Sequence, residues 1–170
     1  SQIVLYLLYN PDFNNILKGL IKLNKTRKIR YFAELRAEAV TREQVILLQK
    51  ANFKEIEVGV QSLNAPVLKA IRRPVNLSAL ERGIKLMSGK GIRLTVDIMC
   101  GLPYQGIADI RKSLKWAFRI KNAYVQFLHA LLIPGTVLRE QRNSLGIVSQ
   151  KKPPYRVVST KWMPESDIIK

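Results

Sequence analysis

Short apolar runs along this chain alternate with longer stretches of helical period. Residues 3–9 are a continuous apolar run with aromatic and β-branched members, closed by Asn10-Pro11-Asp12, which predicts a buried strand and a turn. Residues 13–23 carry Ile16, Leu17, Leu20 and Ile21 at helical spacing, with Asp12 as a candidate cap. A second strand is predicted over 29–34. Its helix begins at Thr41-Arg42-Glu43-Gln44, a capping-box pattern, with Val45, Ile46 and Leu48 as the apolar stripe and Ala51-Asn52 as the end. Residues 55–62 alternate around Ile56, Val58 and Val60 and finish on polar side chains. A short helical segment (66–71), a break at Arg72-Arg73-Pro74 and a longer helix (77–87) follow, closed by Gly89 and Gly91. Residues 92–98 are the fourth strand, 107–120 its helix, and 123–128 a fifth strand that runs on through 131–133. A last helix is predicted over 136–144, stopping at Gly146.

Strands separated by helices at nearly constant spacing predict an α/β fold with a parallel sheet. The alternation spans 1–147. Residues 148–170 are different: Lys151-Lys152-Pro153-Pro154-Tyr155 is Pro-stiffened, so an extended C-terminal tail is expected, packed on the βα array or on a partner domain.

Composition narrows the function classes. With 170 residues and 47% hydrophobic content, one globular domain can form a core. Against 12 Asp and Glu stand 29 Lys and Arg, a net charge of +17. Such a balance attracts polyanions, nucleic acid or an acidic domain, or serves solubility alone. The cations follow the solvated faces of predicted helices, as at Arg111, Lys112, Lys115 and Arg119, and the densest cluster, 22–30, has only Tyr31 beside it for stacking on a base. Cys100 is the single cysteine, which excludes a disulfide framework and a multi-thiolate metal site built from these residues. No apolar stretch is long enough for a bilayer span and the first residues lack a signal-peptide pattern, so a cytoplasmic protein is expected.

In a parallel βα array, ligands gather at the C-terminal ends of the strands. Those ends present Glu34 and Arg36; Gly59, Gln61 and Ser62; Asp97, Gly101, Leu102 and Pro103; Gln126 and His129, with Arg72 and Arg73 on a loop of the same side. A carboxylate accepts hydroxyls, Gln and Ser supply neutral donors and acceptors, and Arg pairs a carboxylate bidentately. Each residue also has a plainer reading. Gln61 and Ser62 fit a cap for the helix at Asn64, Arg72-Arg73 fits a solvated pair, Gly101-Leu102-Pro103 a turn, and His129 a rim histidine. Asp97, inside an apolar strand, needs a partner in either reading. No Ser/His/Asp triad, phosphate-cradling loop or paired-His zinc motif is present.

Taken together, these segments resemble the radical S-adenosylmethionine (SAM) superfamily. More narrowly they resemble its cobalamin-binding-domain-associated branch, which includes anaerobic Mg-protoporphyrin IX monomethyl ester cyclase-like proteins. The resemblance is carried, in order, by Ala33-Glu34-Leu35-Arg36, Glu57-Val58-Gly59-Val60-Gln61-Ser62-Leu63-Asn64, Ile71-Arg72-Arg73-Pro74, Asp97-Ile98-Met99-Cys100-Gly101-Leu102-Pro103-Tyr104, Ile133-Pro134-Gly135-Thr136 and Pro153-Pro154-Tyr155. It implies a partial (β/α) TIM-like barrel, about five parallel strands with outer helices in an open arc, equivalent to strands two to six of that family's barrel. By the same resemblance Glu34 would contact the ribose, Gln61 and Ser62 would line the pocket, Arg72 or Arg73 would meet the methionine carboxylate, and Asp97 to Gly101, continuing through Leu102 and Pro103, would set backbone against adenine.

The family cleaves SAM at a [4Fe-4S] cluster to a 5′-deoxyadenosyl radical, and members of this branch add cobalamin as a further cofactor. Its cluster sits on Cys-x-x-x-Cys-x-x-Cys after the first barrel strand, a spacing absent here, and Gln105 stands where the family often has an acid. The resemblance therefore implies a fragment, inactive by itself, that partners an N-terminal segment and domain of the same protein and acts on a small-molecule substrate. A strand at 3–9 without its neighbour would be a raw edge suited to homodimer formation. The rival expectations are a basic nucleic-acid-binding βα module, distinguished by binding that survives physiological salt, and a non-catalytic interaction domain.

Overall fold

The computed structural model of the chain describes the backbone of residues 2–6 and all of residues 11–168. Two compact units make it up. The first comprises Ser1–Gly59, Asn76–Asp97 and Ala117–Val125; the second comprises Val60–Val75, Ile98–Trp116 and Gln126–Lys170.

A sheet in the order β1-β2-β3-β4-β5 organises the first unit, from β1 (Gln2–Tyr6), β2 (Arg30–Leu35), β3 (Phe53–Gln61), β4 (Arg93–Cys100) and β5 (Ala123–His129). β1 pairs parallel with β2 and β2 parallel with β3, with Glu34 in register with Tyr6 and Glu57. The expected strand at 3–9 is thus seen as far as Tyr6, and its remainder lies outside the described residues. Between the strands run α1 (Phe13–Leu23), α2 (Arg42–Ala51) and α4 (Leu77–Ser88). α2 begins as its sequence predicts: Thr41 Oγ1 accepts the Gln44 N–H at 3.2 Å, and Gln44 Oε1 accepts the Thr41 N–H at 2.9 Å. Its end turns on Asn52 in the left-handed conformation (φ 80°).

Two buried amides then fix the start of β2. Asn24 Nδ2 donates to the carbonyls of Ile29 (2.8 Å) and Ala51 (3.3 Å), and its Oδ1 accepts the Ile29 N–H (3.1 Å). Asn52 Nδ2 donates to the Ile29 carbonyl (2.7 Å) and the Arg27 carbonyl (3.1 Å). α4 packs on a 3-10 turn, Ala37–Ala39, so closely that a Cβ at Gly83 would stand 1.8 Å from the Ala37 carbonyl oxygen. Leu17, Leu35, Leu48, Ile56, Leu80, Met87 and Leu94 are fully buried between sheet and helices.

The second unit holds α3 (Ala65–Ala70), most of α5 (Ile107–Ala117) and everything after β5. Three sequence expectations change here. The helix predicted over 136–144 is only one turn, α6 (Val137–Glu140), because the following turns redirect the chain until the Ile147 N–H bonds the Arg142 carbonyl at 2.8 Å. α5 ends at Ala117, not at 120, with the Ile120 N–H closing a turn on the Ala117 carbonyl. The tail is folded instead of extended: β6 (Val148–Ser149) pairs antiparallel with β7 (Val157–Ser159), and a short α7 (Glu165–Ile168) follows.

Backbone bonds knit that tail into its unit. The Ala130 N–H donates to the Cys100 carbonyl (2.8 Å), the Val157 N–H to the Ala130 carbonyl (2.9 Å), and the Leu132 N–H to the Tyr155 carbonyl (2.9 Å). Val157, Met163 and Ile168 join Val67, Cys100, Leu102, Ile110, Ala130, Leu132 and Ile147 in one buried cluster. Burial of these apolar side chains, invisible in the local pattern, is the reason the tail folds. Among the described residues no helix is long and apolar enough to cross a membrane.

Candidate functional site

In the first unit one face of the sheet is acidic. Side chains alternate along a strand, so Glu55 and Glu57 share a face of β3. Register places Glu34 of β2 beside Glu57. Thr95 Oγ1 donates to Glu55 Oε1 at 2.9 Å, which puts Thr95, and Asp97 two residues on, on that face too. Glu34 and Glu57 are half-buried and Asp97 is only 3% exposed. Four of the chain's 12 carboxylates are therefore gathered on one face of a protein whose net charge is +17. One of them is neutralised: Arg93 Nε donates to Glu55 Oε2 at 2.8 Å, and its guanidinium lies 5.3 Å from the Tyr124 ring centroid. The hydrogen bond and then the charge of Glu55 raise the Arg93 pKa above its ordinary value. Glu34 and Glu57 are suited to accept hydroxyl or ammonium donors.

The second unit contains the end of β3. There the Ser62 N–H donates to the Val60 carbonyl at 2.8 Å around Gln61, whose φ is +67°. That is a γ-turn of the left-handed, strained kind, held by a residue with a Cβ. Gln61 Oε1 is buried, with no hydrogen-bond partner among the described residues. Ser62 is fully buried and its hydroxyl accepts the Asn64 N–H at 3.1 Å. Further along the loop, the Leu63 N–H donates to Ser113 Oγ (3.1 Å) and Asn64 Nδ2 to Asp109 Oδ1 (2.7 Å). Asp109 in turn accepts the Gly106 N–H at Oδ2 (2.9 Å). The loop after β3 is thus bolted to the first two turns of α5.

The turn after β4 belongs to the same unit. Gly101 has φ +83°, and a Cβ on it would meet Val157 Cγ1 at 3.0 Å, so both conformation and space require glycine. Gln105 is fully buried: its Oε1 accepts the Leu102 N–H (3.2 Å) and its Nε2 donates to the Met99 carbonyl (2.8 Å). Gly101, Leu102 and Pro103 are buried beneath this clamp, while Tyr104 (φ +59°) projects and stacks on Trp162 at 4.3 Å. Cys100 is 2% exposed, and burial pushes its thiol pKa up, which makes it packing and not a thiolate ligand.

Arg72 and Arg73 close α3. The Arg73 N–H bonds the Leu68 carbonyl (2.8 Å) and the Arg72 N–H the Lys69 carbonyl (3.1 Å), with Arg72 exposed at φ +55° in the position that glycine usually fills. His129 Nε2 lies 3.1 Å from the Ile168 carbonyl, a rim contact. Of the residues singled out by sequence, Glu34 and Asp97 share the acidic face of the first unit. Gln61, Ser62, Arg72, Arg73, Gly101, Leu102 and Pro103 are in the second.

Two residues were not singled out as site residues by sequence. Glu57 carried a usable signal, its two-residue spacing from Glu55. Arg139 carried none: it donates to the Leu132 carbonyl (2.7 Å) and covers the Tyr155 ring at 4.6 Å, so it joins the Pro134-Gly135 and Pro153-Pro154-Tyr155 segments, a pairing only the fold creates.

Within the second unit the Gln61 side-chain carbonyl oxygen lacks a donor among the described residues, and within the first unit the carboxylates can accept hydroxyls, so each suits a polar ligand. They do not suit an iron–sulfur cluster. The chain has one cysteine, which is buried, and among the described residues no group of three or more His, Cys, Asp or Glu is placed to hold a metal ion.

The family described as "Radical SAM superfamily" matches residues 6–117. The heme chaperone HemW of Escherichia coli (strain K12) is 26% identical over 133 residues, 77% of this chain and 35% of that protein. Among solved structures, the radical SAM methyltransferase TsrM from Kitasatospora setae, with cobalamin and a [4Fe-4S] cluster bound, superposes with a TM-score of 0.70 at 16% identity, over 89% of this chain and 34% of that one. Coproporphyrinogen III oxidase (HemN) from Escherichia coli, a radical SAM enzyme, does so with a TM-score of 0.65 at 19% identity, over 92% and 35%. Both structures share the α/β fold. The chain spans about a third of the length of the curated relatives it matches.

Proposed function

Because this chain belongs to the radical SAM superfamily, we propose that it is the SAM-binding and substrate-shaping part of a larger Fe-S oxidoreductase. The superfamily uses SAM and a [4Fe-4S] cluster, and in the whole protein that pair would supply a 5′-deoxyadenosyl radical. The thiolates for the cluster are not among these residues.

What this chain contributes is binding and orientation. Glu34, on the acidic face, accepts the ribose hydroxyls. Gln61 Oε1 accepts a donor from the nucleoside, and the strained turn beneath it holds that oxygen in place before the ligand arrives. The buried turn Gly101-Leu102-Pro103, following Asp97 on β4, presents backbone to the flat adenine ring, and Ser62 lines the pocket with Gln61. Arg72 or Arg73 pairs the methionine carboxylate. The observation that carries the reading is Gln61: a buried carbonyl oxygen without a donor, on a left-handed residue, at the strand end where the family's motif lies.

The finer assignment, to the cobalamin-associated branch with its Mg-protoporphyrin cyclase-like members, is supported by the segments from Ala33 to Tyr155 that resemble that branch, and cobalamin is proposed with it. The experiment is anaerobic reconstitution of the natural full-length protein with iron and sulfide, followed by assay for 5′-deoxyadenosine. Gln61→Ala is expected to weaken SAM binding about tenfold, the worth of one buried hydrogen bond. If the reconstituted protein forms no cluster and releases no 5′-deoxyadenosine, the reading fails.

A further inference from the structure

Away from the residues assigned to SAM, the second unit contains a cleft of about 370 Å³ lined by Arg139, Arg142, Ser149, Gln150 and Lys151 over Ile147. Three of its lining side chains are cations and none is a carboxylate. Its volume lies in the range of small-molecule pockets.

Arg139 is held in place before any ligand arrives. One of its N–H groups donates to the Leu132 carbonyl at 2.7 Å, its plane lies 4.6 Å over the Tyr155 ring, and its backbone is capped by Thr136. A guanidinium has five donors, so most of the fork stays available. Arg142 and Lys151 make no side-chain hydrogen bond or ion pair with the described residues, although both face the cleft. Ser149, on β6, adds a hydroxyl. Three positive groups converging without a counter-charge repel one another, and an anion in the cleft relieves that repulsion. The planar fork of Arg139 suits a phosphate or carboxylate, and two further cations favour a ligand with two or more negative charges.

We propose that this cleft binds a small polyanionic ligand through its phosphate or carboxylate oxygens, with Arg139 as the fixed fork and Arg142 and Lys151 as mobile clamps. The site stands independently of the SAM reading, since it shares no residue with it.

Calorimetric titration of the protein at physiological salt with pyrophosphate and with citrate distinguishes the two oxyanion sources. One of the two is expected to bind, and the double variant Arg142→Glu/Lys151→Glu to lose at least about tenfold in affinity. Both positions are exposed, so the fold is retained. The double variant Lys22→Glu/Lys25→Glu, also exposed, makes the same change in net charge elsewhere and is expected to leave binding unaltered. Equal losses in the two double variants, or no binding of either anion by the unaltered protein, overturn the proposal.

Discussion

Gln61 and Cys100 show how far single residues are governed by surroundings their neighbours in sequence do not reveal. Gln61 sits at φ +67° with a buried, unpartnered carbonyl oxygen, two unfavourable features at one position. Gln61→Gly removes both, so it is expected to stabilise the protein by about 1 kcal/mol in urea denaturation while weakening SAM binding. A destabilised variant would show that the side chain is structural. The thiol of Cys100 is buried, and desolvation raises its pKa. The folded state therefore holds the proton more tightly than the unfolded chain. This contribution to stability is complete below the unfolded thiol value and is lost as pH rises through the folded one. Ellman's reagent is expected to leave the native thiol unreacted at neutral pH and to titrate it in denaturant. The state of Gln61 was not legible locally, because Gln61-Ser62 read more readily as a helix cap.

At the scale of elements, the pattern succeeded where a segment buries its own stripe and failed where burial came from elsewhere. The capping box at Thr41 is complete within four residues and is found as predicted. The helix expected over 136–144 is one turn, because Arg139 and the chain after it are recruited by the Leu132 carbonyl, seven residues back, and by Tyr155, in the tail. Contact between α4 and the Ala37–Ala39 turn is equally non-local. Gly83 looks like an ordinary weak point in a helix, yet its missing Cβ lets the Ala37 carbonyl approach. Gly83→Ala is expected to destabilise by about 3 kcal/mol in thermal or urea unfolding, because backbone must shift to admit the methyl group. A neutral outcome would mean that α4 can slide away at little cost.

Charge and topology belong to the whole molecule. A net charge of +17 repels itself, so added potassium chloride is expected to raise the melting temperature by screening; a flat response would mean that the cations are already compensated. Alternation of strands and helices, the α/β class and the positions of the strand ends followed from the sequence, because hydrophobic periodicity is a local property and the parallel sheet is its simplest solution. The candidate site was partly legible for the same reason: Glu34, Gln61 and Gly101 stand at or next to strand ends, and Asp97 lies three residues before the end of β4. Other features were decided only in three dimensions. The gathering of Glu34, Glu57 and Asp97 on one face depends on register between strands, and the clamp of Gln105 on the Met99–Leu102 turn on how that loop closes. The folding of the tail onto Ala130 and Leu132, and the cleft at Arg139, Arg142 and Lys151, depend on contacts between segments far apart in the chain. Local pattern specifies which face of each element is apolar. Which elements meet, and therefore which polar groups converge, is set by burial summed over the entire chain.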